Sequence, residues 1–114
     1  MPRYMHQFSY SLESMKAMAT KPRDRRTATE KLVTAAGGEL IDIYFCFGDY
    51  DGFVITEFPS NVDVASVALV AAASGGFSKV KTTVLITMDE AMEAMDKASQ
   101  VASAFKPPAG QDSG

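Results

Sequence analysis

Five consecutive residues, Gly48-Asp49-Tyr50-Asp51-Gly52, lie between two β-patterned runs, Ile41 to Phe47 and Phe53 to Phe58, and constrain the fold more than any other stretch. Two glycines that tolerate unusual backbone angles, with three turn-compatible residues between them, predict a β-hairpin. The tip also carries two carboxylates and a phenol, so turn chemistry and binding chemistry coincide there. The run specifies no reaction.

The flanking sequence supplies the partners of that hairpin. From Arg3 to Tyr10, Tyr4, His6, Phe8 and Tyr10 alternate with Met5, Gln7 and Ser9, the period-two signature of a strand with two chemically different faces. Ser11 to Ala19 predicts a short helix. Pro22 suits the first turn of a longer one, in which Arg25, Ala28, Thr29, Leu32, Ala35 and Ala36 share a face. Gly37-Gly38 ends it. In the next strand Leu40, Asp42, Tyr44 and Cys46 alternate with Ile41, Ile43, Phe45 and Phe47, and the second set is expected to face the helices. Ser60 with Asp63, and Thr87 with Glu90, have the spacing of helix-start capping boxes. The helix from Val62 to Ala73 has only Asp63 and Ser66 as polar residues, so it needs cover on more than one side. Lys79 to Thr87 reads as strand four. Met88, Ala91, Met92, Met95, Ala98, Ala102 and Phe105 form the expected buried stripe of the last helix.

The order β-α-β-β-α-β-α predicts an α+β, ferredoxin-like domain, a four-stranded antiparallel sheet with helices on one face. Apolar and aromatic side chains occur on both faces of the strands. The bare face is therefore expected to be covered by a second copy, in a homodimer or higher homo-oligomer closing a shared α/β barrel. The domain is expected over residues 1–105, with 106–114, which contain Pro107-Pro108, as a disordered tail.

Charge and cysteine usage narrow the partners. With 11 basic and 14 acidic residues the net charge is −3, which argues against generic nucleic-acid or anionic-membrane binding. Cys46 is the only cysteine, so no intrachain disulfide exists and a reducing, cytoplasmic setting is expected. No apolar run reaches the roughly 18 residues of a membrane span, and no basic-then-apolar leader pattern opens the chain.

Gly48-Asp49-Tyr50-Asp51, preceded by Gly37-Gly38 and an Ile-Tyr-Phe strand, resembles the hallmark of the GYD family, small bacterial and archaeal ferredoxin-like domains. Pro22 before the first long helix and Val80-Lys81-Thr82-Thr83-Val84-Leu85 as the last strand extend the resemblance from about Tyr4 to Met95. It implies a fold related to dimeric α/β barrels and brings no settled activity.

The residues that carry chemistry are few. Asp49 and Asp51 are spaced to share a cation, but Phe53 and Val54 occupy the places where a calcium loop needs more oxygen ligands; turn bonding to backbone amides is the plainer role. His6 is the only histidine and the natural proton-transfer group near neutral pH, with a hydrogen-bonded structural role as its competitor. Asp42, Tyr44 and Cys46 share a strand face, with Lys79 and Lys81 as available partners or edge charges. Lys21, Arg23, Arg25 and Arg26 concentrate positive charge near a helix start, where a solvated face is the simplest account. No metal site or cofactor is expected.

Two kinds of function follow. One is a non-catalytic oligomeric domain that binds a small apolar or aromatic molecule between sheet and helices, or that serves as an assembly module. Its ligand-binding candidates are His6, Asp42, Tyr44, Asp49, Tyr50 and Asp51. The other, as similar-looking barrels suggest, is a cofactor-independent monooxygenase or isomerase with His6 as base and Tyr44 or Tyr50 as hydrogen-bond donor. The setting of His6 separates them: a cavity above about 300 Å³ favours ligand or catalysis, a sealed and satisfied imidazole favours assembly. Val67→Asp or Leu69→Asp is expected to reduce oligomer size.

Overall fold

The structure is a computed structural model and describes residues 1–109. Strand β1 (Arg3–Tyr10) is followed by helices α1 (Leu12–Thr20) and α2 (Arg26–Ala35), strands β2 (Glu39–Phe45) and β3 (Gly52–Glu57), helix α3 (Asn61–Ala73), strand β4 (Phe77–Leu85) and helix α4 (Met88–Val101), which ends in a short 3₁₀ turn. The sheet order is β2-β3-β1-β4 with every pair antiparallel, the ferredoxin-like topology that the element order predicts.

Capping explains where the helices begin. Ser11, Ser60 and Thr87 each accept a hydrogen bond from a backbone N–H three residues on, and the Thr87 N–H donates in turn to the Glu90 carboxylate. Gly37 (φ 84°) provides the left-handed residue that stops α2. Pro22 lies outside α2, whose N-cap is Arg25, so the helix starts later than the proline suggests. Val33, 2% exposed, is its buried anchor, whereas Ala28 and Ala35 are exposed. The inward face thus keeps Thr29, Leu32 and Ala36 of the predicted stripe and adds Val33.

The core sits between the sheet and α2 and α3, where Tyr4, Val33, Phe58, Val64 and Val67 pack together. Tyr4 is fully buried, and its hydroxyl donates to Asn61 Oδ1 at 2.7 Å, joining β1 to the start of α3. Along β1 the alternation holds, with Tyr4, His6 and Phe8 buried toward the helices. In β2 it breaks: Leu40 pairs with Thr56 but Asp42 pairs with Ile55, leaving Ile41 as an extra residue. That bulge moves Leu40 onto the helix-facing side with Ile43 and Phe45. Asp42 and Tyr44 stay on the outer face, where the Tyr44 ring stacks on Phe53 with centroids 5.2 Å apart.

Two predicted burials fail within the single chain. Val62 (78% exposed) and Leu69 (70%) on α3 have no cover, and Met88, Met92, Met95 and Phe105 are all at least 61% exposed. Helix α4 leaves the sheet, which stretches the molecule to 63 Å along its long axis against 29 and 23 Å across. The radius of gyration of 18.8 Å exceeds the roughly 13 Å of a compact domain this size. Residues 110–114 of the expected disordered tail lie outside the described residues.

Candidate functional site

Helices α2 and α3 lie on the same face and pack chiefly on β2 and β4, the two edge strands, and an apolar cleft of about 200 Å³ runs between them. Its floor is the middle of the sheet, His6, Phe8, Val54 and Thr56, and its walls come from Leu32 of α2 and from Val67 and Ala71 of α3. One end is aromatic. The Tyr10 ring stacks on Phe77 at 5.4 Å, Phe8 meets both edge-on, and Arg25 closes this end from the start of α2.

His6 lies on the cleft floor and is 8% exposed. Its Nε2 is 2.9 Å from Thr56 Oγ1 and its Nδ1 is 3.1 Å from Thr82 Oγ1. A hydroxyl can donate or accept, so either neutral tautomer satisfies both contacts. Burial lowers the His6 pKa below its ordinary value, because a charged imidazolium here would lose its hydration. The unfolded chain therefore binds this proton more readily than the folded one, and stability falls as pH drops below the unfolded value of about 6.5. Urea unfolding from pH 7 to pH 5 should show a decline of up to about 1.4 kcal/mol per pH unit. His6→Gln should flatten that part of the profile; an unchanged slope in the variant would assign the decline to other groups.

The remaining sequence candidates do not converge on His6. Tyr44 occupies the opposite sheet face, and Tyr50 sits in the loop with the Lys79 ammonium 4.6 Å above its ring. His6, Tyr44 and Tyr50, expected to act together as base and hydrogen-bond donors, do not share a pocket: Tyr44 pairs with Phe53 on the outer face, and Tyr50 lies between β2 and β3. Asp51 works as a staple: its Oδ2 accepts from the Tyr10 N–H at 2.9 Å, while its own N–H donates to the Phe8 carbonyl at 2.9 Å. This is backbone bonding as expected, but to a strand distant in sequence. The Asp49 carbonyl accepts from Ser9 Oγ at 3.4 Å, and Asp42 is exposed on the outer face. Cys46 Sγ donates to the Tyr50 carbonyl at 3.2 Å. Among the described residues no three His, Cys, Asp or Glu side chains gather as a metal set, and no helix is long and apolar enough to cross a membrane.

Sequence reasoning undervalued Arg25. It is half-buried, makes no side-chain cap for α2, and stands by the Tyr10 phenol. Burial raises the Tyr10 pKa, the Arg25 guanidinium opposes that rise, and Asp51 adds to it. A cation beside an apolar cleft was legible as charge in the sequence, but its fold partner, Tyr10, was not.

These features define a ferredoxin-like α+β domain with a small apolar cleft between its helices. The GYD domain profile matches residues 4–95, and the chain belongs to that family. No curated protein matches it. Among solved structures, MtbAldR is similar with a TM-score of 0.57 and 13% identity, over 75% of this chain and 53% of its own. The chain thus spans about half the length of that protein. An FFRP structure is similar with a TM-score of 0.52 and 17% identity, over 75% of this chain and 100% of its own. At these identities the likeness shows the fold alone.

Proposed function

We propose that the domain is a ligand-binding module whose cleft takes one small aromatic or alicyclic carboxylic acid, with the ring between α2 and α3 and the carboxylate toward Arg25. The observation that carries this reading is a half-buried guanidinium at the end of an otherwise apolar, aromatic-walled cleft. The volume of about 200 Å³ sets the size. That is short of the roughly 300 Å³ expected of a ligand site, and His6 is buried with both nitrogens bonded, so those two marks favour assembly. The ligand reading rests on Arg25 instead, and an apolar space of about 150 Å³ is enough for benzene. His6, held neutral between two threonines, supplies a polar floor; to act as a base it would have to release one of those hydroxyls. The outer sheet face, with Met5, Phe53 and Ile55, is the expected meeting place of two copies closing a barrel.

Benzoate and its neutral counterpart benzamide test the reading by NMR titration. Benzoate is expected to shift the Val67 and Ala71 methyl signals, and Arg25→Ala to weaken it about tenfold, or about 1.4 kcal/mol, with little change for benzamide. Ala71→Phe, which fills the cleft, should abolish both. Shifts confined to the outer sheet face, or equal losses for acid and amide in Arg25→Ala, would remove the reading.

A further inference from the structure

We infer that α4 is an exchanged arm: its apolar seam seats on the exposed flank of α3 in a second copy of this chain, and the second copy returns the contact. The two surfaces match in sequence. Along α3, Val62, Ala65, Leu69 and Ala72 recur at spacings of three, four and three, and along α4, Met88, Ala91, Met95 and Ala98 recur at the same spacings. In both, a large residue alternates with alanine, so with the seams aligned Leu69 lies beside Met95 and the facing alanines let the two helices approach. A seam of this spacing is what two helices need to pack at a shallow angle.

Exposure says that both seams lack a partner within one chain. Val62, Leu69, Met88 and Met95 are 78%, 70%, 75% and 61% exposed, and no residue of α4 is buried. Pairing α4 with α4, or α3 with α3, would cover one seam and leave the other bare in both copies. The cross pairing covers both with a single kind of contact. A two-fold axis makes the contact twice, which doubles the surface it buries toward the roughly 1,200 Å² that specific interfaces need. Helix α3 carries no lysine or arginine and, in the described chain, only Asp63 as a charge, so the four acidic residues of α4, Asp89, Glu90, Glu93 and Asp96, meet an essentially neutral seat. The inference is independent of what the cleft binds, since α3 offers its Val67 and Ala71 side there.

Paired cysteines in the full chain decide the matter. With Cys46→Ser as background, Leu69→Cys and Met95→Cys are prepared as separate proteins, mixed and oxidised. The expected product is a crosslinked dimer containing one of each. Crosslinks only between two Met95→Cys chains, only between two Leu69→Cys chains, or only within a chain that carries both changes would overturn the exchange, as would the absence of any crosslink. In a second measurement, Met95→Glu should raise the dissociation constant of the association that α4 makes at least tenfold in sedimentation experiments, with any pairing through the outer sheet faces retained. It should leave the circular dichroism spectrum unchanged, because no residue of α4 is buried in its own domain. An unaltered constant would overturn the inference as well.

Discussion

Phe58→Ala is expected to lower the unfolding free energy by about 3 to 5 kcal/mol, a large share of the 5 to 15 kcal/mol that holds a typical domain folded. Phe58 lies just beyond β3, is fully buried and touches three separate parts of the chain. Its ring packs edge-on against Tyr4 at 6.1 Å and His6 at 6.4 Å, and its N–H donates to the Pro2 carbonyl at 3.1 Å. It also lies over the glycine pair after α2 so closely that a Cβ on Gly38 would come within 2.5 Å of the ring. Truncation would leave a void where β1, the end of α2 and the start of α3 converge, and rigid backbone on the Gly38 side limits collapse into it. Urea denaturation followed by circular dichroism measures the loss; a change under 1 kcal/mol would mean that the site closes over the gap.

Gly52→Ala is expected to cost about 2 to 3 kcal/mol through overpacking. A Cβ at Gly52 would stand 2.7 Å from the Tyr44 carbonyl oxygen and 2.8 Å from Phe8 Cζ. The first of these is backbone of the paired strand, which cannot swing aside, so β2 must shift outward. The comparison is Gly48→Ala, where φ is 133° and no atom lies within 4 Å of the new methyl. There the penalty is conformational, about 1 kcal/mol. If thermal or urea unfolding ranks the two in the opposite order, close approach is not the reason for glycine at position 52.

That contrast shows how far the sequence could be read. Both glycines were recognisable as bounding a hairpin, since turn chemistry is local and leaves a local mark. Their separate causes were not, because the obstacle at Gly52 comes from Tyr44 and Phe8, residues that only folding brings near. The capping serines and Thr87 and the alternation of Tyr4, His6 and Phe8 were legible for the same local reason. The inserted residue Ile41 was not: an unbroken run of strand formers gives no sign of which member the neighbouring strand will leave unpaired. The methionine stripe of α4 was visible as a stripe, but amphipathicity does not say which body it faces. Val67 and Leu69 appeared equivalent as surface positions, whereas Val67 is in the core and Leu69 is 70% exposed. Val67→Asp therefore tests folding, and only Leu69→Asp tests association. At the site, the alternation on β1 already placed His6 and Phe8 on one face, while Arg25 and Tyr10 came together only across a turn whose path no spacing rule describes.

Helix α3 has neighbouring residues with opposite duties, since Ala68 lines the cleft while Leu69 points to solvent. A rod loaded on two sides transmits load: a guest that pushes Ala68 outward must also tilt Leu69. If the cleft takes a guest and the Leu69 side seats a second copy, as proposed, occupancy and association share one free-energy cycle, and any factor the guest applies to subunit affinity returns on guest affinity.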